Sequence, residues 1–118
     1  MEGLARLRLL LDTHIWLWLV GNPGRLNPAI LQELRSANNE LWLSPMSTWE
    51  ALTLHRKNRM YLADDLDQWV ALATYGTKEA VLTHDIVLAA RTIALDQDPV
   101  DRLLAATAQI LRSDPGHL

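Results

Sequence analysis

Leu7-Arg8-Leu9-Leu10-Leu11-Asp12 is a short, nearly continuous apolar run that stops on an acid, the pattern of a strand buried on both faces. Leu41-Trp42-Leu43, closed by Ser44-Pro45, repeats it, and Ala80 to Thr83 is a weaker third copy with Val81 and Leu82 as its strand formers. Helical periodicities with recognisable starts lie between and after these runs. Asn27-Pro28 places an N-cap before proline, and Ile30, Leu31 and Leu34 form a buried stripe that ends at Asn38-Asn39. Ser47-Thr48-Trp49-Glu50 has capping-box spacing and predicts a helix through about Arg56. Asp64 or Asp65 caps a segment containing Leu66, Trp69, Val70, Leu72 and Ala73, which stops at Tyr75-Gly76. Asp85 is placed to cap Ile86 to Leu95, and Asp98-Pro99 opens a last helix with Val100, Leu103, Leu104, Thr107, Ile110 and Leu111 on one stripe. Strands alternating with helices imply an α/β domain with a parallel sheet. Right-handed crossovers then leave the C-terminal ends of the strands on one edge, where ligands bind in such sheets.

Composition fits a single domain over residues 1–118. The chain is 49% hydrophobic and 21% charged. A chain of this length buries roughly two-thirds of its unfolded surface in one core. The absence of Cys excludes a disulfide framework, a thiolate zinc site and a Cys nucleophile. A net charge of -3 argues against coating nucleic acid by bulk electrostatics, although a local basic patch or a metal ion can still hold phosphate. Ile15 to Val20 is too short to span a bilayer, and Asp12 and His14 interrupt the continuity a signal peptide needs. The expectation is a soluble cytoplasmic protein with no membrane association.

Three carboxylates fall near that ligand edge. Asp12 follows the first run, Glu50 lies in the first turn of the helix after the second, and Asp101 lies in the first turn of the last helix. Singly, each has an ordinary explanation as turn or capping chemistry. Together, acids at successive strand and helix ends on one edge can converge on a small volume, where mutual repulsion is costly unless a divalent cation neutralises it. Oxygen ligands without Cys or paired His favour Mg2+ or Mn2+ over zinc. A hard cation held by carboxylates is the usual apparatus for hydrolysing a phosphodiester with an activated water.

Leu9-Leu10-Leu11-Asp12-Thr13-His14 with nearby Trp18, Leu43-Ser44-Pro45-Met46-Ser47-Thr48-Trp49-Glu50, and the segment from Asp98-Pro99-Val100-Asp101-Arg102 to Ala108 resemble the three signatures of PIN-domain toxins of the VapC family. The resemblance covers about residues 7–109, leaving 110–118 as a divergent tail. It implies a PIN-like three-layer α/β/α fold and a Mg2+-dependent endoribonuclease, the toxin of a type II toxin-antitoxin pair inhibited by a cognate antitoxin. Asp12, Glu50 and Asp101 match the family's metal-binding acids, and Thr13 and Ser47 its hydroxyl positions beside the site. Asn58 stands where relatives often carry Gly, and either tolerates a left-handed turn.

The chain departs from the pattern at its end. Relatives continue into a further strand carrying a fourth acid, whereas Asp114 follows Leu111 closely with no apolar strand before it, so the fourth acid is not transferred to it. The expected fold is thus C-terminally shortened, with the first strand as an open edge. That edge, and the dimers common among relatives, suggest a homodimer. The shortening also leaves a second reading, a catalytically impaired toxin that retains antitoxin binding. A third reading, a phospho-acceptor or aspartate-nucleophile phosphatase site, wants a second acid beside Asp12 and a Lys at a later strand end; Thr13 and His14 follow Asp12, and Lys78 precedes the third run.

Other residues carry paired readings. Arg102 is placed to approach phosphate or to hold a neighbouring acid. His14 and His84 follow strands, where proton transfer and plain strand-end polarity are both open. His55, Arg56, Lys57 and Arg59 either grip an RNA backbone or complement a helix dipole. Trp42, Trp49 and Trp69 read as core, and Trp16 or Trp18 as interface residues. Asp64, Asp65 and Asp67 read as helix capping in solvent.

Overall fold

The computed structural model describes residues 7–91. The predicted last helix, with Asp98, Asp101 and Arg102, and the tail with Asp114 lie outside the described residues. The described elements run β1 (Arg8–Leu10), α1 (Thr13–Gly21), a 3-10 turn (Pro23–Arg25), α2 (Pro28–Arg35), β2 (Glu40–Leu43), α3 (Pro45–Arg56), α4 (Leu66–Ala73), β3 (Lys78–Glu79) and α5 (His84–Ala90). The sheet order is β1-β2-β3 with both pairings parallel, so the described strands all end on one edge. Among the described residues β1 is an edge strand.

Alternation divides the strand side chains between two buried faces. Leu9, Leu11, Leu41 and Leu43 join Trp16, Leu17 and Leu34 in the main core, while Leu10, Trp42 and Ala80 form a second cluster. The first two apolar runs therefore read correctly as strands that pack on both faces. Trp16, fully buried, stacks at 5.5 Å against Trp69 and donates its indole N–H to the carbonyl of Ala73 at 3.0 Å. One side chain thus ties α1 to α4, and it is core, not the interface residue that its sequence position suggested. Trp42 is buried between Arg8 and Lys78, each within 6 Å of its ring, and Glu40 bridges all three by accepting from the indole and pairing with both cations.

Several starts match the sequence signals. Asn27 Oδ1 accepts from Ala29 N–H before Pro28, and Asp65 Oδ1 accepts from Gln68 N–H. Gly76, with φ of 85°, closes the turn after α4.

Three expectations shift. The helix predicted from Ser47 begins at Pro45, because Ser44 is the N-cap and accepts from Met46 N–H at 3.0 Å. The third strand is Lys78–Glu79, extended only by Ala80 N–H to Leu43 O; Val81 and Leu82 lie beyond it and are exposed. Thr83, not Asp85, caps α5, accepting from Ile86 N–H.

Asn58 adopts φ of 59°, and the turn after α3 places Arg59 N–H on Leu54 O and Asn58 N–H on His55 O. This is a Schellman closure with Asn in the position glycine usually takes. It directs the chain toward Leu62, whose N–H donates to His55 Nδ1 at 3.1 Å. Beyond it, the Tyr61 hydroxyl donates to Asp64, and that bond holds the phenol proton and raises its pKa above the ordinary tyrosine value.

Candidate active site

The strand ends converge on two buried hydroxyls. Thr13, the first residue of α1, and Ser47, in the first turn of α3, are each nearly inaccessible to solvent. Thr13 Oγ1 donates to Ser47 Oγ at 3.0 Å across 34 residues of sequence. Both polar groups are thereby satisfied where leaving either alone would cost about 1–3 kcal/mol. The shared bond fixes the start of α1 against the start of α3.

That clamp joins the two segments that carry the described acids. Asp12 directly precedes Thr13, caps α1, and accepts from His14 N–H through Oδ1 at 2.8 Å. Its side chain is otherwise open to solvent, leaving Oδ2 available to a ligand. Glu50 lies three residues beyond Ser47, one turn further along α3, and is half-buried. Because α3 begins at Pro45, Glu50 is in the second turn, not the first, and is not a capping-box residue. Its carboxylate makes no hydrogen bond or ion pair among the described residues, and helix capping is removed as its explanation. Two carboxylates with free oxygens, carried on segments pinned by a buried hydrogen bond, suit a hard divalent cation, since Mg2+ characteristically takes one or two carboxylates and keeps water in its remaining positions. No group of three or more acids, His or Cys able to hold a metal occurs among the described residues; Asp101, the third acid of the expected set, lies outside them. Arg102 lies outside them too.

The remaining candidates separate clearly. His14 is exposed, 3.9 Å from Asp12 Oδ1 and edge-on to Trp18. His84 opens α5 on the surface. His55 spends Nδ1 on Leu62 and stacks near Tyr61, so it belongs to the turn and not to a free basic run. Lys78 lies within β3 and its amine is 3.1 Å from Glu40 Oε2, which occupies the cation that a phospho-acceptor site would require. Sequence reasoning missed Ser44 as the α3 cap, although Ser-Pro after a strand is itself a helix-start signal.

The PIN domain profile matches residues 9–114. The chain also aligns with ribonuclease VapC22 of Mycobacterium tuberculosis at 32% identity over 104 residues, covering 85% of this chain and 78% of the relative. The chain is a PIN domain of the VapC family. The parallel sheet with helices around it is the α/β architecture expected of that family. No solved structure matches the chain. In this PIN domain the first two signatures, around Asp12 and around Ser47 to Glu50, are the two segments that the Thr13–Ser47 bond joins.

Proposed function

We propose that this PIN domain is a Mg2+- or Mn2+-dependent endoribonuclease, the toxin of a type II toxin-antitoxin pair acting in the cytoplasm. The observation that carries the reading is the Thr13–Ser47 hydrogen bond, which pins together the segments bearing Asp12 and Glu50 at the ligand edge of the sheet. The similarity to a protein named a ribonuclease supplies the substrate class.

In this reading Asp12, Glu50 and Asp101 hold the cation, and Thr13 and Ser47 position the first two. Arg102 contacts phosphate or steadies an acid. The cation, when bound, neutralises phosphate charge and lowers the pKa of water for in-line attack on phosphorus. Without it, clustered carboxylates repel an RNA backbone, so substrate binding and cleavage both depend on it. The cognate antitoxin holds this chain inactive by binding it.

Purified chain incubated with structured RNA tests the proposal. Cleavage is expected with added Mg2+ or Mn2+ and is abolished by chelator. Undiminished cleavage in excess chelator overturns the metal reading. Soluble protein that binds the antitoxin, yet neither cleaves RNA nor slows growth on induction, is the outcome for the catalytically impaired toxin.

A further inference from the structure

Two tryptophans reach the surface on different helices. Trp49, expected in the core, is 58% exposed beside a groove between α3 and α4 floored by Leu52 and Val70. Trp18 on α1 is half-buried and differs in the polar groups around it. The Arg25 guanidinium lies over its ring at 4.9 Å, and His14, one helical turn earlier, meets it edge-on at 6.4 Å. Trp18 borders an open hollow of about 280 Å3 that is also lined by Asn22, Arg25, Tyr61 and Leu62. That volume falls just under the range of drug-sized ligands and suits a single planar ring system.

The aromatic lining is held in place before any ligand arrives. The Tyr61 hydroxyl is bound to Asp64 and its ring lies 5.6 Å from His55, while Asn22 N–H donates to the Trp18 carbonyl at 2.8 Å. Two polar side chains of the hollow are unspent. Asn22 and Arg25 are exposed, and neither the carboxamide nor the guanidinium has a hydrogen-bond or ion-pair partner among the described residues. Flat aromatic faces, a carboxamide that donates and accepts, and a guanidinium match the three parts of a nucleotide: ring face, base edge and phosphate. His14, Trp18 and Asn22 recur every four residues and so share one face of α1. That face begins at His14, 3.9 Å from Asp12 Oδ1, and reaches Asn22 after about 12 Å.

We propose that this hollow is a base-binding subsite for substrate RNA, in which one adenine stacks against Trp18 and Tyr61, the Asn22 carboxamide pairs with its edge, and Arg25 holds the adjoining phosphate. The strand then follows the His14 face of α1 toward Asp12. Adenine is the base whose edge offers a neighbouring donor and acceptor to a carboxamide. Stacking has to supply most of the affinity, because a chain of net charge -3 does not attract RNA in bulk. One compact hollow with one amide and one cation suits a nucleotide, whereas a peptide helix or strand wants a run of apolar pockets or an open sheet edge. The choice of RNA as ligand rests on the ribonuclease reading above.

Fluorescence anisotropy of labelled hexaadenylate and hexacytidylate RNA, titrated with the full chain carrying Asp12→Asn to prevent cleavage, provides the test. Hexaadenylate should bind about tenfold more tightly. Trp18→Ala and Tyr61→Ala should each weaken it about tenfold, and Asn22→Ala should narrow the difference between the two RNAs to about threefold. Arg25→Ala should lower the log–log salt dependence by about 0.7, one phosphate contact on a single strand. Asn22, Arg25 and Tyr61 are exposed, so their variants should keep the circular dichroism spectrum even if Trp18→Ala does not. Wild-type chain that cleaves RNA, with binding indifferent to all four substitutions, overturns the subsite and leaves the nuclease reading standing. Adenine-selective binding lost in the variants, with no cleavage by wild type, supports the subsite and removes the nuclease. Adenosine monophosphate bound as tightly as hexaadenylate overturns the assignment to substrate RNA and makes this a free-nucleotide site. Substitutions that weaken antitoxin binding alone overturn it too, and give the hollow to a protein.

Discussion

Thr13 and Ser47 share a fully buried hydroxyl–hydroxyl hydrogen bond of 3.0 Å between the first turns of α1 and α3. Each residue adjoins a segment bearing a candidate metal ligand. The bond therefore couples stability to the geometry of the site. Thr13→Val keeps the side chain's shape and removes the donor, and should lower unfolding free energy by about 1–2 kcal/mol. Thr13→Val with Ser47→Ala removes both partners and should cost less than the two single changes added together. Urea unfolding of the four proteins gives the coupling directly. Additive effects would show that the hydroxyls do not act as a pair. RNA cleavage should fall for Thr13→Val and stay close to wild type for a further variant, Thr13→Ser.

Asp12→Asn should remove at least about a hundredfold of the cleavage rate while leaving the fold intact. Asn caps helices as well as Asp does, so the bond to His14 N–H survives the loss of charge. Titration with Mn2+ followed by calorimetry should show weaker binding in parallel. Full activity with normal Mn2+ affinity would remove Asp12 from the metal site.

Glu50→Gln separates function from structure in the same way. The carboxylate has no partner within the described residues, so the substitution should leave the melting temperature unchanged or slightly raised. Cleavage should fall as steeply as for Asp12→Asn. A marked loss of stability with activity retained would return Glu50 to a structural role.

Trp16 is the largest fully buried side chain among the described residues and joins α1 to α4 through the Ala73 carbonyl and the ring of Trp69. Trp16→Ala should destabilise by about 3–5 kcal/mol through loss of buried area and the cavity left behind. Trp16→Phe should cost less, but leaves the Ala73 carbonyl without its indole donor. Chemical denaturation with both variants distinguishes the packing and hydrogen-bond contributions.

Asn58 occupies the left-handed position that closes α3. Asn58→Ala should destabilise by about 1 kcal/mol, since a Cβ without a local polar partner is strained there. Asn58→Gly should be neutral or better. Thermal melts of the pair check both signs, and equal effects would show that backbone conformation at this residue is not limiting.

Much of this architecture is legible along the chain because its signals are local. A doubly buried strand must be apolar on successive residues, and Leu9-Leu10-Leu11 and Leu41-Trp42-Leu43 obey that requirement. Asn27-Pro28 and Asp65 mark helix starts because orphan N–H groups need an acceptor within a few residues. Where two local signals compete, the sequence is ambiguous. Ser44-Pro45 ends β2 and begins α3 at once, which hid the true cap behind the Ser47–Glu50 spacing and misplaced Glu50 by a turn. The extent of β3 escaped for a different reason. Val81 and Leu82 have strand character, but the pairing with β2 runs out at Leu43, and the chain turns outward.

The sequence by itself determined the alternation of buried strands and helices and the one-sided placement of the strand ends, because each depends on residues close in the chain. Tertiary structure alone decided which tryptophan is core and which is surface. Trp16 and Trp49 both lie on helices with apolar neighbours, and only the packing of α4 against α1 buries the first. The splayed α3–α4 groove leaves the second exposed. It also decided that Thr13 and Ser47 meet, since a hydrogen bond between residues 34 apart exists only once β1 and β2 lie side by side.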